Sequence, residues 1–236
     1  MSWIITGTEK YETDPYRSQV SLLLHGDGAN GSTTIVDSSP SPKTVTANNG
    51  AKISTAEAKF GPSSIEFLST ANTGLSVAPS SLFRFGTGDW TVEAWIYQRS
   101  QSNNAVLVEI GDHVQQDSFV ILVGIHGITL YSGAYFGPQT NVFTLNTWQH
   151  VAVTRFGNLL YFFLNGSVVG NSGGYAFTRN LTDFATVSVA YPYGHIPNGS
   201  NNFYRFNGYI DDLRVTKGVA RYTSNFTPLT APFPDI

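Results

Sequence analysis

Two adjacent carboxylates, Asp211 and Asp212, stand inside the strand-like run "FNGYIDDLRVTKGVARYTSNF". Successive side chains of a strand point to opposite faces, so the two acids are expected to sit in different environments, one of them away from open water. A carboxylate buried without partners costs several kcal/mol, so its oxygens must be met by backbone N–H groups or by a cation. A second set of residues suits contact rather than acid–base chemistry. Tyr131, Tyr135 and Phe136 in "LYSGAYFGP" and Tyr191, Tyr193 and His195 in "YPYGHIP" are aromatics in expected loops, with Asn198, Asn201, Asn202 and Tyr204 close behind. Such side chains offer a flat face and a polar edge, which contacts with sugars and with proteins both use. The competing reading is that they pack beneath their own loops.

Other chemistries lack their residues. The five histidines, His25, His113, His126, His150 and His195, show no H-E-x-x-H or similarly tight spacing, and His150 reads as packed or bonded to backbone. "HGDGANG" lacks the Gly-Lys-Ser/Thr ending of a phosphate loop, and no helical pattern follows it. There is no cysteine nucleophile.

The elements that must position these residues are strands. Runs of β-branched and aromatic residues bounded by Gly, Asn, Pro and Ser recur at 20–24, 64–68, 90–97, 105–110, 119–123, 148–155, 159–165, 185–190 and 203–215, without helical periodicity. That many strands predict two packed sheets. "TRFGNLLYFFLNGS" reads as a hairpin turning at Phe156-Gly157-Asn158, with a further turn at Asn165-Gly166. Two stretches, 26–50 and 191–202, read as long irregular loops. The proline-rich end, "TPLTAPFPDI", is expected to run extended over the surface. Residues 1–19 read as an arm whose Trp3, Ile4 and Ile5 would prefer a partner surface to water, ahead of a domain over 20–236.

Composition narrows the partners. Of 236 residues 12% are charged and the formal net charge is −3, with Lys and Arg scattered singly, which disfavours nucleic acid and anionic membrane. No apolar run is long enough for a membrane span, and the start lacks a basic segment and an apolar signal core, so synthesis in a cytoplasm is expected. The sequons at Asn30, Asn165, Asn180, Asn198 and Asn225 then read as turn chemistry.

"SLLLHGDGANGSTTIVDSS", "KFGPSSIEF", "GTGDWTVEAWIY", "NTWQHVAVTRFGNLLYFFLNG" and "FNGYIDDLRVTKGVARYTSNFTP" together resemble laminin G-like jellyroll domains of the concanavalin A-like lectin/glucanase superfamily, over residues 20–230. The wording is similar to versions found in bacteriophage structural proteins. The resemblance implies an all-β, antiparallel two-sheet jellyroll sandwich with its first and last strands adjacent. That adjacency would bring Asp27 near Asp211 and Asp212, so Ca²⁺ held by the three and by loop carbonyls stands beside backbone capping as a reading of the pair. Ala29, where an EF-hand has an oxygen ligand, departs from that pattern. Hydrolases of the superfamily alternate carboxylates along one strand, whereas "DWTVEAWIY" has only Glu93 between Thr91 and Trp95; Glu109 or Asp112 would have to supply a partner across the sheet.

The resulting expectation is a non-enzymatic virion module, a head decoration or tail-fibre component, made in the bacterial host cytoplasm. Its expected partners are other virion proteins through the arm, a further copy of itself and host surface carbohydrate, with Tyr131, Tyr135, Tyr191, Tyr193, His195 and Tyr204 as the contact residues. The alternatives are a bacterial lectin-like surface protein and, further off, a glycan hydrolase.

Overall fold

The computed structural model of the protein describes residues 13–69, 73–112, 115–140, 142–191 and 204–235. Tyr193, His195, Trp3, Ile4 and Ile5 lie outside the described residues, as do Asn198, Asn201 and Asn202. In chain order the strands are β1 (Val20–Leu24), β2 (Val45–Asn48), β3 (Lys52–Ser54), β4 (Ser64–Phe67), β5 (Gly74–Val77), β6 (Trp90–Ser100), β7 (Val106–Ile110) and β8 (Phe119–Gly124). There follow β9 (Gly127–Tyr131), β10 (Tyr135–Phe136), β11 (Trp148–Phe156), β12 (Leu159–Leu164), β13 (Ser167–Val168), β14 (Tyr175–Ala176), β15 (Val187–Val189) and β16 (Asn207–Lys217). Among the described residues no helix is long and apolar enough to cross a membrane.

All pairings are antiparallel and form the expected sandwich. One sheet runs β13-β12-β11-β6-β16-β4-β3, with β1 also on β16 and β14 on β12; the other runs β10-β9-β8-β7-β15-β5-β2. Alternation along each strand sends one set of side chains into the shared core. Val92, Ala94 and Ile96 of β6 face Val108, Ile110, Phe119 and Ile121 of β7 and β8, and Trp90 stacks on Phe119 with ring centroids 4.8 Å apart.

Strand β16 pairs with β6 along one edge and divides its other edge, β4 taking Gly208 to Ile210 and β1 taking Leu213 to Thr216. The register shifts between Asp211 and Arg214, and Asp212 has φ +50°. This is a β-bulge, with the extra residue in the left-handed region that Asp tolerates better than most. It overturns the expectation that the two acids separate. An uninterrupted strand would send them to opposite faces, but the bulge leaves both buried, each 1% exposed.

Three further differences have local causes. The 26–50 stretch, expected to be irregular, contains β2, whose Val45 and Ala47 pack on the core while Thr46 faces out. Tyr131 and Tyr135 lie on β9 and β10 rather than in a loop. A two-residue turn, Ile125-His126, joins β8 to β9 because Gly127 takes φ +83°, and the Gly and Ser residues around "GITLYSG" hide the alternation of Ile128 and Leu130. From the stretch expected to be an arm, Asp14 is buried and ion-paired to Arg214 at 3.1 Å and Arg221 at 2.7 Å.

Beyond β16 the chain has no strand among the described residues and crosses the outer face of the nine-stranded sheet as an extended strap. Tyr222 and Phe226 cover Ala152, Tyr161 and Phe163, and Leu229 and Phe233 cover Val20 and Leu23. Gly166 lets the strap approach, since a Cβ there would fall 2.0 Å from the Phe226 carbonyl oxygen.

Candidate functional site

The bulge fills the gap between β1 and β4, and its carboxylates satisfy the chain where those strands leave and enter. Asp211 Oδ2 accepts the backbone N–H groups of Lys59 and Phe60 at 2.8 and 3.1 Å. Asp212 Oδ1 lies 2.5 Å from His25 Nδ1, and its Oδ2 accepts the Phe233 N–H at 2.6 Å. Both acids therefore cap backbone. Asp27 is exposed beside the turn at Gly61. No group of three His, Asp or Glu side chains among the described residues is arranged to hold a metal ion.

Burial pushes the Asp211 carboxyl up to about 7, against its two backbone N–H bonds and with the charges of Asp212 and Asp27 adding to the rise. Burial likewise raises Asp212, against its bond to His25; burial would lower His25, yet the Asp212 carboxylate lifts it above its usual value. A group raised on folding contributes stability below its unfolded pKa, about 3.9 for Asp, and loses it as pH rises through the folded value. The melting temperature is therefore expected to fall between about pH 4 and 7. Asp211→Asn, whose amide oxygen accepts the same two N–H groups without a charge, should remove much of that fall, and an undiminished slope in the variant would reject this origin. A Ca²⁺ ion on the pair has another signature: added calcium would raise the melting temperature of the native protein and not that of the variant.

Glu93 is unsuited to the acid role a hydrolase would give it. Its strand neighbours Val92 and Ala94 enter the core, so Glu93 points outward from the nine-stranded sheet, beneath the strap and 0% exposed. Arg214 Nε and Nη2 donate to its Oε1 at 2.9 and 2.8 Å, the Tyr222 hydroxyl donates to Oε2 at 2.9 Å, and His150 Nε2 lies 3.3 Å from Oε2. Burial alone would raise this carboxyl, but Arg214, His150 and Arg221 hold it well below the usual carboxylate range. Glu109 points outward from the other sheet, because Val108 and Ile110 on either side of it are core. The two acids stand on opposite sides of the sandwich and cannot form the pair about 5 Å apart that retaining hydrolysis uses.

The outer face of the seven-stranded sheet carries a row set by register. Thr46, Ser76, Ser188, Glu109, Val120, Tyr131 and Tyr135 stand opposite one another across the strands, polar at the β2 side and aromatic at the β10 side. Ser188 Oγ donates to Glu109 at 3.1 Å. Tyr191 lies near Arg205 and Glu109, and it has room because Gly74 carries no side chain: a Cβ there would meet Tyr191 Cβ at 2.7 Å. Tyr131 and Tyr204 pack, partly buried, over Val106, Val120 and Leu122 of β7 and β8.

Tyr135 differs. Its ring meets Tyr131 edge-on at 4.8 Å between centroids yet is 47% exposed, and Asn104 Nδ2 reaches its hydroxyl at 3.5 Å. Burial raises its phenol, and the neighbouring Tyr204 and Tyr131 add to the rise. With Asn104, His126, Thr129 and Gln139 it lines a pocket of about 140 Å³. One residue back along the β6–β7 loop, Ser100, Gln101, Ser102 and Asn103 join Ser69, Arg205 and Asn207 around a polar cleft of about 470 Å³. The structure thus brings Tyr131, Tyr135 and Tyr204 together on one face and places Asp27, Asp211 and Asp212 elsewhere. Asn104, Gln139 and Arg205 are site residues that sequence reasoning misses. The uncharged run "SQSNNA" between two strands is the one signal for part of them.

The family model described as the concanavalin A-like lectin/glucanases superfamily matches residues 69–221. No curated protein sequence matches the chain. Among solved structures, the binding domain of Paraclostridial Mosquitocidal Protein 1 is similar with TM-score 0.64 at 14% identity, over 88% of this chain and 51% of that one. The binding domain of botulinum neurotoxin serotype D gives 0.62 at 12% identity, over 89% and 51%. Domain 4 of AbnA, a GH43 extracellular arabinanase from Geobacillus stearothermophilus, in complex with arabinotriose, gives 0.58 at 16% identity, over 86% and 94%. The chain spans about half the length of the two toxin binding domains, and at these identities the likeness is one of fold.

Proposed function

The chain belongs to the concanavalin A-like lectin/glucanases superfamily, and from that premise we propose that it is a non-catalytic carbohydrate-recognition module. The observation that carries this reading is the half-exposed Tyr135 ring set among the hydrogen-bonding side chains of Asn104, His126, Thr129 and Gln139. A sugar presents C–H groups that pack on an aromatic face and hydroxyls that pair with amides and hydroxyls at its edge. The similar arabinanase domain, solved with arabinotriose, supports the choice of ligand class. The absence of catalysis is supported by the strap over Glu93 and by the placement of Glu109 on the opposite sheet.

Tyr135→Ala is expected to weaken binding to a glycan selected from a broad panel about thirtyfold, the size of a central aromatic contact, with the melting temperature unchanged. Equal affinity in variant and native protein would reject the pocket. Oligosaccharide turnover lost in Glu109→Gln would reject the non-catalytic reading. As to what carries the module, the apolar Trp3, Ile4 and Ile5 and the low charge support a phage particle, with the N-terminal residues touching a neighbouring virion protein. Mass spectrometry of purified particles that lacked the chain would refute this.

A further inference from the structure

The polar cleft beside the Tyr135 pocket differs from it in holding a cation. Arg205 forms part of its wall, with Nη1 donating to the Ser69 carbonyl at 2.7 Å while the Arg205 carbonyl accepts from Ser102 Oγ at 3.1 Å. Side chain and backbone of this residue are thus both tied to the wall. Among the described residues the other lining side chains are neutral hydroxyls and amides, with no Asp or Glu, in a chain whose acids outnumber its bases 16 to 13. A guanidinium held in place matches the planar geometry of a carboxylate, and serine and amide side chains match hydroxyls. The volume, about 470 Å³, lies within the range of small-ligand sites. Asn103 lines this cleft and Asn104 the Tyr135 pocket, so consecutive residues separate the two cavities.

Resting on the reading of the Tyr135 pocket as a sugar site, we propose that the Arg205 cleft is an adjoining subsite for a carboxylate-bearing sugar, so that the ligand is an acidic glycan. One oligosaccharide can bridge the two cavities, its stacked residue on Tyr135 and its acidic residue on Arg205. Attraction to the cation should weaken as salt rises, because the cleft is open to solvent.

The test is calorimetric titration of the native protein with polygalacturonate oligosaccharides and with the same oligosaccharides after reduction of their carboxyl groups. Sialyllactose against lactose forms a second arm, separating a uronate from a sialic acid as the source of the carboxylate. In one of the two arms the acidic form should bind roughly tenfold tighter than its neutral counterpart, the worth of a hydrogen bond to a charged group. The advantage should shrink in Arg205→Gln and return in part in Arg205→Lys. Equal affinity for acidic and neutral forms in both arms would overturn the acidic subsite while leaving the Tyr135 pocket standing. Binding to none of the four ligands, nor to any member of the wider panel, would remove the carbohydrate reading on which the subsite rests. The native-protein comparison decides the matter even if an Arg205 variant folds poorly.

Discussion

Glu93→Gln is expected to lower the stability of the domain by about 3–5 kcal/mol, the cost of breaking a buried ion pair from one side. The substitution keeps size and shape and removes one charge. Arg214, buried, and Arg221, half-buried, would then share the single carboxylate of Asp14, which already meets them at 3.1 and 2.7 Å. Tyr222 would keep a hydrogen-bond acceptor, so the loss reports the charge rather than the hydroxyl contact. Urea unfolding of native and variant proteins measures it directly. A difference below about 1 kcal/mol would mean that Asp14 alone compensates both guanidinium groups.

The same residue sets the acid limb of the pH profile. Its carboxyl is depressed on folding, so its contribution is present above the unfolded value, about 4.3, and is lost as pH falls below that. Asp211 acts in the opposite sense because its carboxyl is raised to about 7. Burial is the first influence on both groups, and the difference lies in the partners. Glu93 faces two cations, whereas Asp211 faces two backbone N–H groups and a second aspartate. Together the two confine maximal stability to the weakly acidic range.

The fold was open to sequence reading because β-branched and aromatic runs mark strands that are long and buried on at least one face. β6, β11 and β16 are of this kind, and the Gly157 and Asn165-Gly166 turns carry their own residue chemistry. β2, β9 and β10 escape because they are short, and their flanks carry the Gly, Ser and Asn that otherwise signal loops. The bulge at Asp212 is a different matter. It follows from β1 and β4 dividing one edge of β16, pairings between segments about 190 and 145 residues apart in sequence that no local pattern encodes. The Glu93 network is hidden for the same reason, since Asp14, Arg214 and Arg221 reach it from opposite ends of the chain. Of the candidate site, the tyrosines were legible from their aromatic character. Which of them stays exposed depends on cross-strand register, which places Tyr135 on the last strand of its sheet, with no strand beyond it among the described residues.

Ending the chain at Ala220 is expected to abolish cooperative unfolding, the largest effect foreseen for any change to this domain. The lost strap holds Phe233, buried against Val20 and Leu23, and Tyr222 and Phe226, stacked at 3.5 Å between centroids over Phe163. Removal of one large buried aromatic costs about 3–5 kcal/mol, and two or three such losses approach the net stability of a typical domain, about 5–15 kcal/mol. The strap also supplies polar partners that nothing else replaces. Phe233 donates its N–H to Asp212, Asn225 Oδ1 accepts the Val168 N–H at 2.8 Å, and the Arg214 guanidinium lies 3.7 Å over the Phe233 ring. Without it the ionised Glu93 cluster would open to water. Near-ultraviolet circular dichroism during heating distinguishes the outcomes. A sharp transition within a few degrees of the full chain would show that the sandwich stands without its strap, whereas a broad melt would make the strap part of the core. In the second case the face beneath it is closed to any ligand, which leaves recognition to the opposite sheet and its rim.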